Sequence, residues 1–123
     1  MNRDEADFIA DILQSARLAQ SFIAGMDFGH FQVDEKTIFA VVRALEVLGE
    51  ATKRISHQVR IRYPEVPWRA MAGIRDRLIH GYENVNLEIV WKAVIEDLPL
   101  LIPQLEQILS ELLDAGKSGS EQS

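Results

Sequence analysis

The fold is decided by the stretch from Asp34 to Pro64, which reads DEKTIFAVVRALEVLGEATKRISHQVRIRYP. Its apolar residues recur every three or four positions, the spacing that places side chains on one face of an α-helix. Asp34 is a suitable N-cap because its carboxylate can accept a hydrogen bond from the first turn, and Pro64 stops the pattern. The stretch therefore predicts one long amphipathic helix. Its inner face carries Ile38, Val41, Val42, Leu45, Leu48, Ile55 and Val59.

The same spacing extends to both sides of this helix. It predicts a first helix roughly from Asp4 to Ala24, followed by a linker bracketed by Gly25 and Gly29. A third, short helix is predicted from about Trp68 to His80, with Pro67 in its first turn. Gly81 then supplies the left-handed C′ position that commonly ends helices.

Two further helices are predicted in the last third of the chain. Asn86 is a suitable N-cap for a helix from Leu87 to about Leu98, and Pro99 suggests a break after it. The fifth helix should bend at Pro103 in its first turns. Its apolar face consists of Leu101, Ile102, Leu105, Ile108, Leu109 and Leu112. The predicted architecture is an all-α antiparallel bundle of four to five helices joined by short loops.

Length and composition limit which class of protein this chain can be. A chain of 123 residues with 47% hydrophobic content fits one domain, which we place at residues 1–115, followed by a disordered polar tail at 116–123. The chain has no cysteine, which excludes disulfides, thiolate metal sites and a cysteine nucleophile. Its first residues lack the order of a signal peptide, and no apolar run approaches the ~20 residues of a membrane span. We expect a soluble cytoplasmic protein.

The charge is distributed unevenly. The formal net charge is −6, which by itself disfavours a nucleic-acid partner because phosphates are bound by lysine and arginine. Residues 53–80, however, carry seven basic and two acidic side chains, a local charge of +5, and the rest of the chain carries −11. A basic middle on an acidic body can still attract RNA. A solvated charged face is the plainer interpretation of the same pattern.

Residues that could take part in catalysis are concentrated in the segment Arg75-Asp76-Arg77-Leu78-Ile79-His80-Gly81-Tyr82. On a helix that reaches His80, Asp76 and His80 are neighbours at i and i+4, so the carboxylate can orient the imidazole for acid–base work. Arg75 lies about 140° round the helix from His80, so the two do not converge within one chain. A second copy of the helix facing the first would bring both pairs into one groove.

Such a groove could cleave RNA without a metal ion. His80 suits the proton transfers, and the planar guanidinium of Arg75 suits the charge on the reacting phosphate. We therefore expect neither a metal nor a cofactor. Further candidates for RNA binding are Arg77, Lys53, Arg54 and His57.

Plainer roles for these residues stay open. Arg75 could pair with a carboxylate of a neighbouring helix, and His80 could cap the last carbonyls of its helix. Glu50 is a candidate for a structural ion pair, with Arg75 or with an arginine at an interface. Asp27 and His30 have a spacing seen in metal sites, but a single such pair is a weak signal.

The segment from Arg75 to Tyr82 resembles the R-x-x-x-x-H-x-Y motif of HepT-type toxins, a branch of the HEPN ribonuclease superfamily. The resemblance covers most of the chain. It includes Gly49-Glu50-Ala51, Lys53-Arg54-Ile55, Pro64, Pro67-Trp68 and Ala72-Gly73-Ile74.

The resemblance implies a homodimeric helical bundle that cleaves RNA as the toxin of a type VII toxin–antitoxin pair. The implied antitoxin is a minimal nucleotidyltransferase (MNT). Arg75 and His80 would be the ribonuclease pair, Asp76 the polar residue that follows the arginine, and Tyr82 the hydroxyl that the partner modifies with AMP. Two alternatives remain: a non-catalytic dimer that serves only as the substrate of the nucleotidyltransferase, and a plain structural bundle.

Overall fold

A computed structural model describes residues 4–80 and 84–122 of the chain. The helices are α1 (Glu5–Phe22), α2 (Phe28–Phe31), α3 (Glu35–Lys53), α4 (His57–Arg62), α5 (Trp68–Ala72), α6 (Ile74–Leu78), α7 (Leu87–Lys92), a π-helical segment (Ala93–Asp97) and α8 (Leu98–Gln122). Two strands of two residues each, β1 (Ile79–His80) and β2 (Asn84–Val85), lie between α6 and α7. The predicted all-α bundle is confirmed, with this short antiparallel pair as an addition.

Side chains cap the helix starts as the sequence predicts. The Asp34 carboxylate accepts a hydrogen bond from the backbone N–H of Thr37 at 3.0 Å, and this bond lowers the pKa of Asp34. The Asn86 side chain accepts from the N–H of Ile89 at 3.1 Å. Each bond satisfies an N–H that has no partner inside its helix. The predicted N-caps of α3 and α7 are therefore confirmed.

The core lies between the three long helices. α1 packs along α3 on one side and against α8 on the other, and α5 and α6 pack on α3. Burial of apolar side chains from these helices supplies the main driving force for folding. The fully buried large side chains include Ile9, Ile12, Leu13, Phe31, Leu45, Leu48, Leu78, Leu105 and Ile108.

The long helix predicted from Asp34 to Pro64 is interrupted. α3 ends at Lys53, and α4 starts anew at His57 with Ser56 as its N-cap. The Glu5 carboxylate accepts a hydrogen bond from the N–H of Ser56 at 3.2 Å. The Arg60 guanidinium donates to carbonyls near the end of α3, at 2.9 Å to Thr52. These bonds satisfy the backbone groups that the interruption leaves without helical partners.

The helix predicted from Trp68 to His80 is confirmed for most of its length but differs at Gly73 and at its end. It is divided at Gly73 into α5 and α6, and it ends at Leu78. His80 lies in β1, where it pairs with Asn84 of β2. The N–H of Asn86 donates to the carbonyl of Leu78 at 2.8 Å and closes the hairpin at its base. The predicted C′ glycine, Gly81, lies outside the described residues.

The break predicted at Pro99 does not occur. α7, the π-helical segment and α8 follow one another without a gap, and the N–H of Leu98 donates to the carbonyl of Ala93, five residues earlier. Proline disrupts an α-helix because it lacks an N–H and its ring meets the carbonyl four residues back. A wider turn immediately before Pro99 changes that bonding pattern, so the helix continues through the proline.

The linker between the first two long helices contains a helical turn that the sequence did not predict. Asp27 is the N-cap of α2; its carboxylate accepts from the N–H of His30 at 2.8 Å and lies 2.7 Å from the His30 Nδ1. The spacing of Asp27 and His30 is thus explained by helix capping. At the other end of the chain, α8 continues to Gln122, and the disorder predicted for residues 116–123 stays a prediction.

Within residues 4–80 and 84–122, none of the helices combines the length and the apolar character that crossing a bilayer requires. The predicted cytoplasmic location stays a prediction.

Gly49 of α3 lies in close contact with α5 and the start of α6. A Cβ at position 49 would lie 3.1 Å from the Ile74 side chain and 3.3 Å from the carbonyl oxygen of Met71. Contacts this short require the neighbouring atoms to move, and a backbone carbonyl moves only with its helix. Gly49 therefore allows α5 and α6 to lie directly on α3.

We expect Gly49→Val to lower the free energy of unfolding by about 1–3 kcal/mol, because the added methyl groups overpack this contact. The measurement is denaturant unfolding followed by circular dichroism. Gly116→Val is the control, since a Cβ at Gly116 in α8 meets no atom within 4 Å. Equal stability of the two variants would contradict the role given to Gly49.

Candidate functional site

The short helix α6 presents three charged side chains to solvent. Ile74 and Leu78, four residues apart, face the core with exposed fractions of 7% and 0%. Arg75, Asp76 and Arg77 lie between these two anchors and are all exposed. The two apolar residues one turn apart thus fix the helix on α3 and turn these three charged side chains outward.

Arg75 is held by a loose ion pair to α3. Its Nε lies 3.7 Å from the Glu46 carboxylate, and the Arg75 side chain is 66% exposed whereas that of Glu46 is 25% exposed. The expectation that Glu50 pairs with Arg75 is wrong, because Glu50 instead lies 3.1 Å from the Lys53 ammonium. Exposed pairs of this kind stabilise a fold by little, typically less than about 1 kcal/mol. The guanidinium can therefore exchange Glu46 for a phosphate.

His80 does not stand on the helix that carries Asp76. It is the second residue of β1, so the i and i+4 spacing that would place Asp76 beside the imidazole is absent. The strand forms because Leu78 ends α6 and the chain then pairs with Asn84 and Val85. The orientation of the His80 ring and the whole of Tyr82 lie outside the described residues. Their assigned roles, and that of Asp76, stay predictions.

The other RNA-binding candidates fall on two sides of α5. Lys53 ends α3, Arg54 is its C-cap and His57 begins α4, and all three are exposed. Arg77 instead lines a cavity of about 470 Å³ between α5, α6 and the start of α8. The structure therefore groups three of the four candidates around the α3–α4 junction and separates Arg77 from them.

The described residues do not bring together three or more histidine, aspartate or glutamate side chains that could hold a metal ion. Glu46 and Glu50 of α3 each pair with a basic side chain, Glu46 with Arg75 of α6 and Glu50 with Lys53 of α3 itself. Sequence reasoning missed Glu46, which lies one turn before Glu50 on α3. It also missed the groove between α4 and α5, which forms only because α3 stops at Lys53.

Comparison with known proteins finds one matching family model and several similar proteins. The family model described as Ribonuclease HepT-like matches residues 12–108. A protein of Thermococcus cleftensis named "Probable ribonuclease HepT" is 43% identical over 108 residues, which are 88% of this chain and 98% of that protein.

Two further relatives carry the name "Putative RNase". The first, from Methanocaldococcus jannaschii, is 41% identical over 110 residues, or 89% of this chain and 91% of its own length. The second, from Caldanaerobacter subterraneus subsp. tengcongensis, is 36% identical over 104 residues, which are 85% of this chain and 93% of that protein. No solved structure matches the chain. The helical fold, the exposed arginine of α6 and these similarities lead to one conclusion: the chain belongs to the family of HepT-like ribonucleases.

Proposed function

We propose that the protein is a metal-independent endoribonuclease in which Arg75 and His80 act on one phosphodiester. The observation that carries the proposal is the exposed, loosely paired guanidinium of Arg75, five residues before His80, in a chain of the HepT-like ribonuclease family. An arginine with so weak an internal partner is free to bind a phosphate through two of its N–H groups.

The proposed reaction is an internal transesterification. One His80 imidazole removes the proton of the ribose 2′-hydroxyl, whose oxygen attacks the adjacent phosphorus. The Arg75 guanidinium stabilises the charge of the pentacoordinate phosphorane. The bond to the 5′-oxygen then breaks, that oxygen takes a proton from solvent water, and the protonated His80 imidazole returns its proton to solvent. The products are a 2′,3′-cyclic phosphate and a 5′-hydroxyl.

A homodimer would bring Arg75 of one subunit to His80 of the other. The cavity beside Arg77 has a floor of apolar side chains, and Leu100 at its edge is 76% exposed. Its charged lining residues are two acids, Glu65 and Asp97, and two bases, Arg77 and Lys92. A surface with an apolar centre and both signs of charge can pair with itself about a two-fold axis. This surface supports a dimer that buries the neighbourhood of α6.

The test of the activity is RNA cleavage by the purified protein in excess EDTA. We expect cleavage to continue, because the proposed mechanism uses only side chains. The products should carry cyclic phosphate ends, which resist a phosphatase until acid opens the ring. Complete loss of cleavage in EDTA, restored by added Mg²⁺, would contradict the mechanism.

The same proposal includes the biological role of a toxin that an MNT-type nucleotidyltransferase neutralises by attaching AMP to Tyr82. The chain has two tyrosines, and Tyr63 is a poor acceptor. Tyr63 is buried, with 8% of its surface exposed, and its hydroxyl donates to the Glu111 carboxylate at 2.7 Å. Burial and this hydrogen bond raise the pKa of Tyr63, which lowers its tendency to act as a nucleophile. An adenylyl phosphate on Tyr82 would add negative charge beside His80 and repel RNA.

We expect Tyr82→Phe to abolish the gain in intact mass when the protein is incubated with the nucleotidyltransferase and ATP. Tyr63→Phe is the matched control: it should accept AMP normally and lose about 1 kcal/mol of stability, because one hydrogen bond is removed. Unchanged modification of Tyr82→Phe would contradict the assignment. If the nucleotidyltransferase modifies the protein but the unmodified protein never cleaves RNA, the chain is a non-catalytic substrate of its partner.

A further inference from the structure

We propose that the groove between α4 and α5 is a second RNA-binding site, which holds the single strand beyond the scissile phosphate. The inference rests on the proposed ribonuclease function and extends it by assigning where the flanking RNA lies. The groove has a volume of about 770 Å³, within the range of about 300–1,000 Å³ that ligand sites usually have.

The lining of the groove is basic and apolar. His57, Arg60 and Ile61 share one face of α4, at positions i, i+3 and i+4, and Arg69 contributes from α5. None of the nine lining residues is acidic, although the chain as a whole has a net charge of −6. The carboxylate nearest in sequence, Glu65, lines the cavity on the other side of α5. The groove is therefore a local positive surface on an acidic protein, and it attracts a polyanion.

Two of these basic side chains are free and the third is fixed. Among the described residues, His57 and Arg69 have no ion-pair or hydrogen-bond partner through their side chains, and both are exposed. Arg60 donates to the carbonyls of Ile55 and Thr52, at 3.3 and 2.9 Å, so its charge is held at the wall of the groove. Because the Arg60 side chain is already held in place, it loses little further conformational entropy when a phosphate binds.

The floor of the groove is rigid. The Trp68 indole is 5% exposed, and its N–H donates to the carbonyl of Tyr63 at 2.9 Å. Pro64 and Pro67 restrict the backbone on either side of Val66. A site that is already formed in the free protein does not have to be ordered when RNA binds.

The combination of charge and apolar surface favours single-stranded RNA. Ile61 is 62% exposed at the edge of the groove and offers an apolar surface to a base that is not stacked on its neighbours. His57 can stack on such a base and bind the backbone, a pairing of contacts common in proteins that bind single strands. Bases in a duplex are stacked and paired, so they cannot use this apolar surface.

The experiment measures binding without cleavage. A fluorescent single-stranded oligonucleotide of about 12 nucleotides, with every ribose 2′-O-methylated, has no nucleophilic hydroxyl and stays intact. We expect the double variant His57→Gln/Arg69→Gln to bind it about 5- to 20-fold more weakly. The slope of log Kd against log salt should fall by about one, the effect of one lost phosphate contact.

Arg17→Gln is the matched control, because it also removes one arginine charge. Arg17 is exposed and lies about 18 Å along α1 from Glu5, the residue that contacts the start of α4. Control and double variant should melt at temperatures close to that of the wild type.

Equal affinity of the double variant and the wild type would overturn the inference, as would failure of the wild type to bind the oligonucleotide. If the double variant binds RNA normally but is no longer modified by the nucleotidyltransferase, the groove binds that protein instead of RNA. This result would also overturn the inference. Cleavage is scored separately on unmodified RNA. If the wild type binds through the groove but does not cleave, the ribonuclease proposal fails and the second site stands.

Discussion

Arg75→Ala and His80→Ala are each expected to lower the rate of RNA cleavage by roughly 10²–10⁴-fold. The histidine variant loses the group that moves protons, and the arginine variant loses the charge that stabilises the phosphorane. The stability of Arg75→Ala should change little, because the Arg75 side chain is 66% exposed and its pair with Glu46 is 3.7 Å long. The measurement is initial cleavage rate on a fluorescent RNA, with thermal melting of each variant to show that it is folded.

Matched controls exist in the same chain. Arg17→Ala removes an exposed arginine of α1 that pairs with Glu106 of α8 at 2.7 Å. His30→Ala removes an exposed histidine whose Nδ1 lies 2.7 Å from the Asp27 carboxylate. Both controls should cleave RNA at the wild-type rate. Undiminished cleavage by Arg75→Ala and His80→Ala would refute the assignment of the site.

Mixed dimers of these two inactive variants are expected to regain cleavage. If the arginine and the histidine of one site come from different subunits, a heterodimer contains one complete pair and one doubly altered pair. Heterodimers isolated through two different affinity tags should therefore reach up to about half of the wild-type rate. This recovery is large, because each parent alone is expected to be nearly inactive.

The outcome separates two arrangements of the site. Heterodimers that are as inactive as their parents, while sedimenting as dimers, would show that Arg75 and His80 of the same chain act together. Heterodimers of tagged wild-type protein serve as the reference for the rate. Leu100→Glu is a useful companion variant, because a charge at this exposed apolar position should weaken the proposed dimer surface.

The long helices were predictable because their signals are local. The period of the apolar residues in α1, α3 and α8, and the caps at Asp34 and Asn86, depend only on residues within one or two turns. The interruption after Lys53 has one local signal, the N-cap Ser56, but it is also stabilised by the Glu5 carboxylate, 51 residues away in sequence, which the apolar period does not reveal. Hydrogen bonds between distant residues leave no periodic trace in a single sequence.

The sequence predicted which residue types the candidate site contains better than it predicted their arrangement in space. The residue types in the segment from Arg75 to Tyr82 indicated phosphate chemistry, and α6 does expose Arg75. The contact predicted between Asp76 and His80 assumed one continuous helix, whereas His80 lies in a short strand. The strands Ile79–His80 and Asn84–Val85 pair through backbone N–H and C=O groups, so their side chains give little signal of the pairing in the sequence. Gly49 appeared in the sequence as part of a family pattern, and only the structure gives its physical role at the contact with Met71 and Ile74.

The first and last long helices complete the same core: Ile9 and Ile12 of α1 and Leu105 and Ile108 of α8 are all almost fully buried. During translation α1 leaves the ribosome well before α8, so its apolar face lacks one of its two neighbours until α8 is made. Domains generally fold as whole units, so we expect the nascent chain to remain incompletely folded until α8 has emerged. The proposed ribonuclease activity would then appear only once α8 is in place.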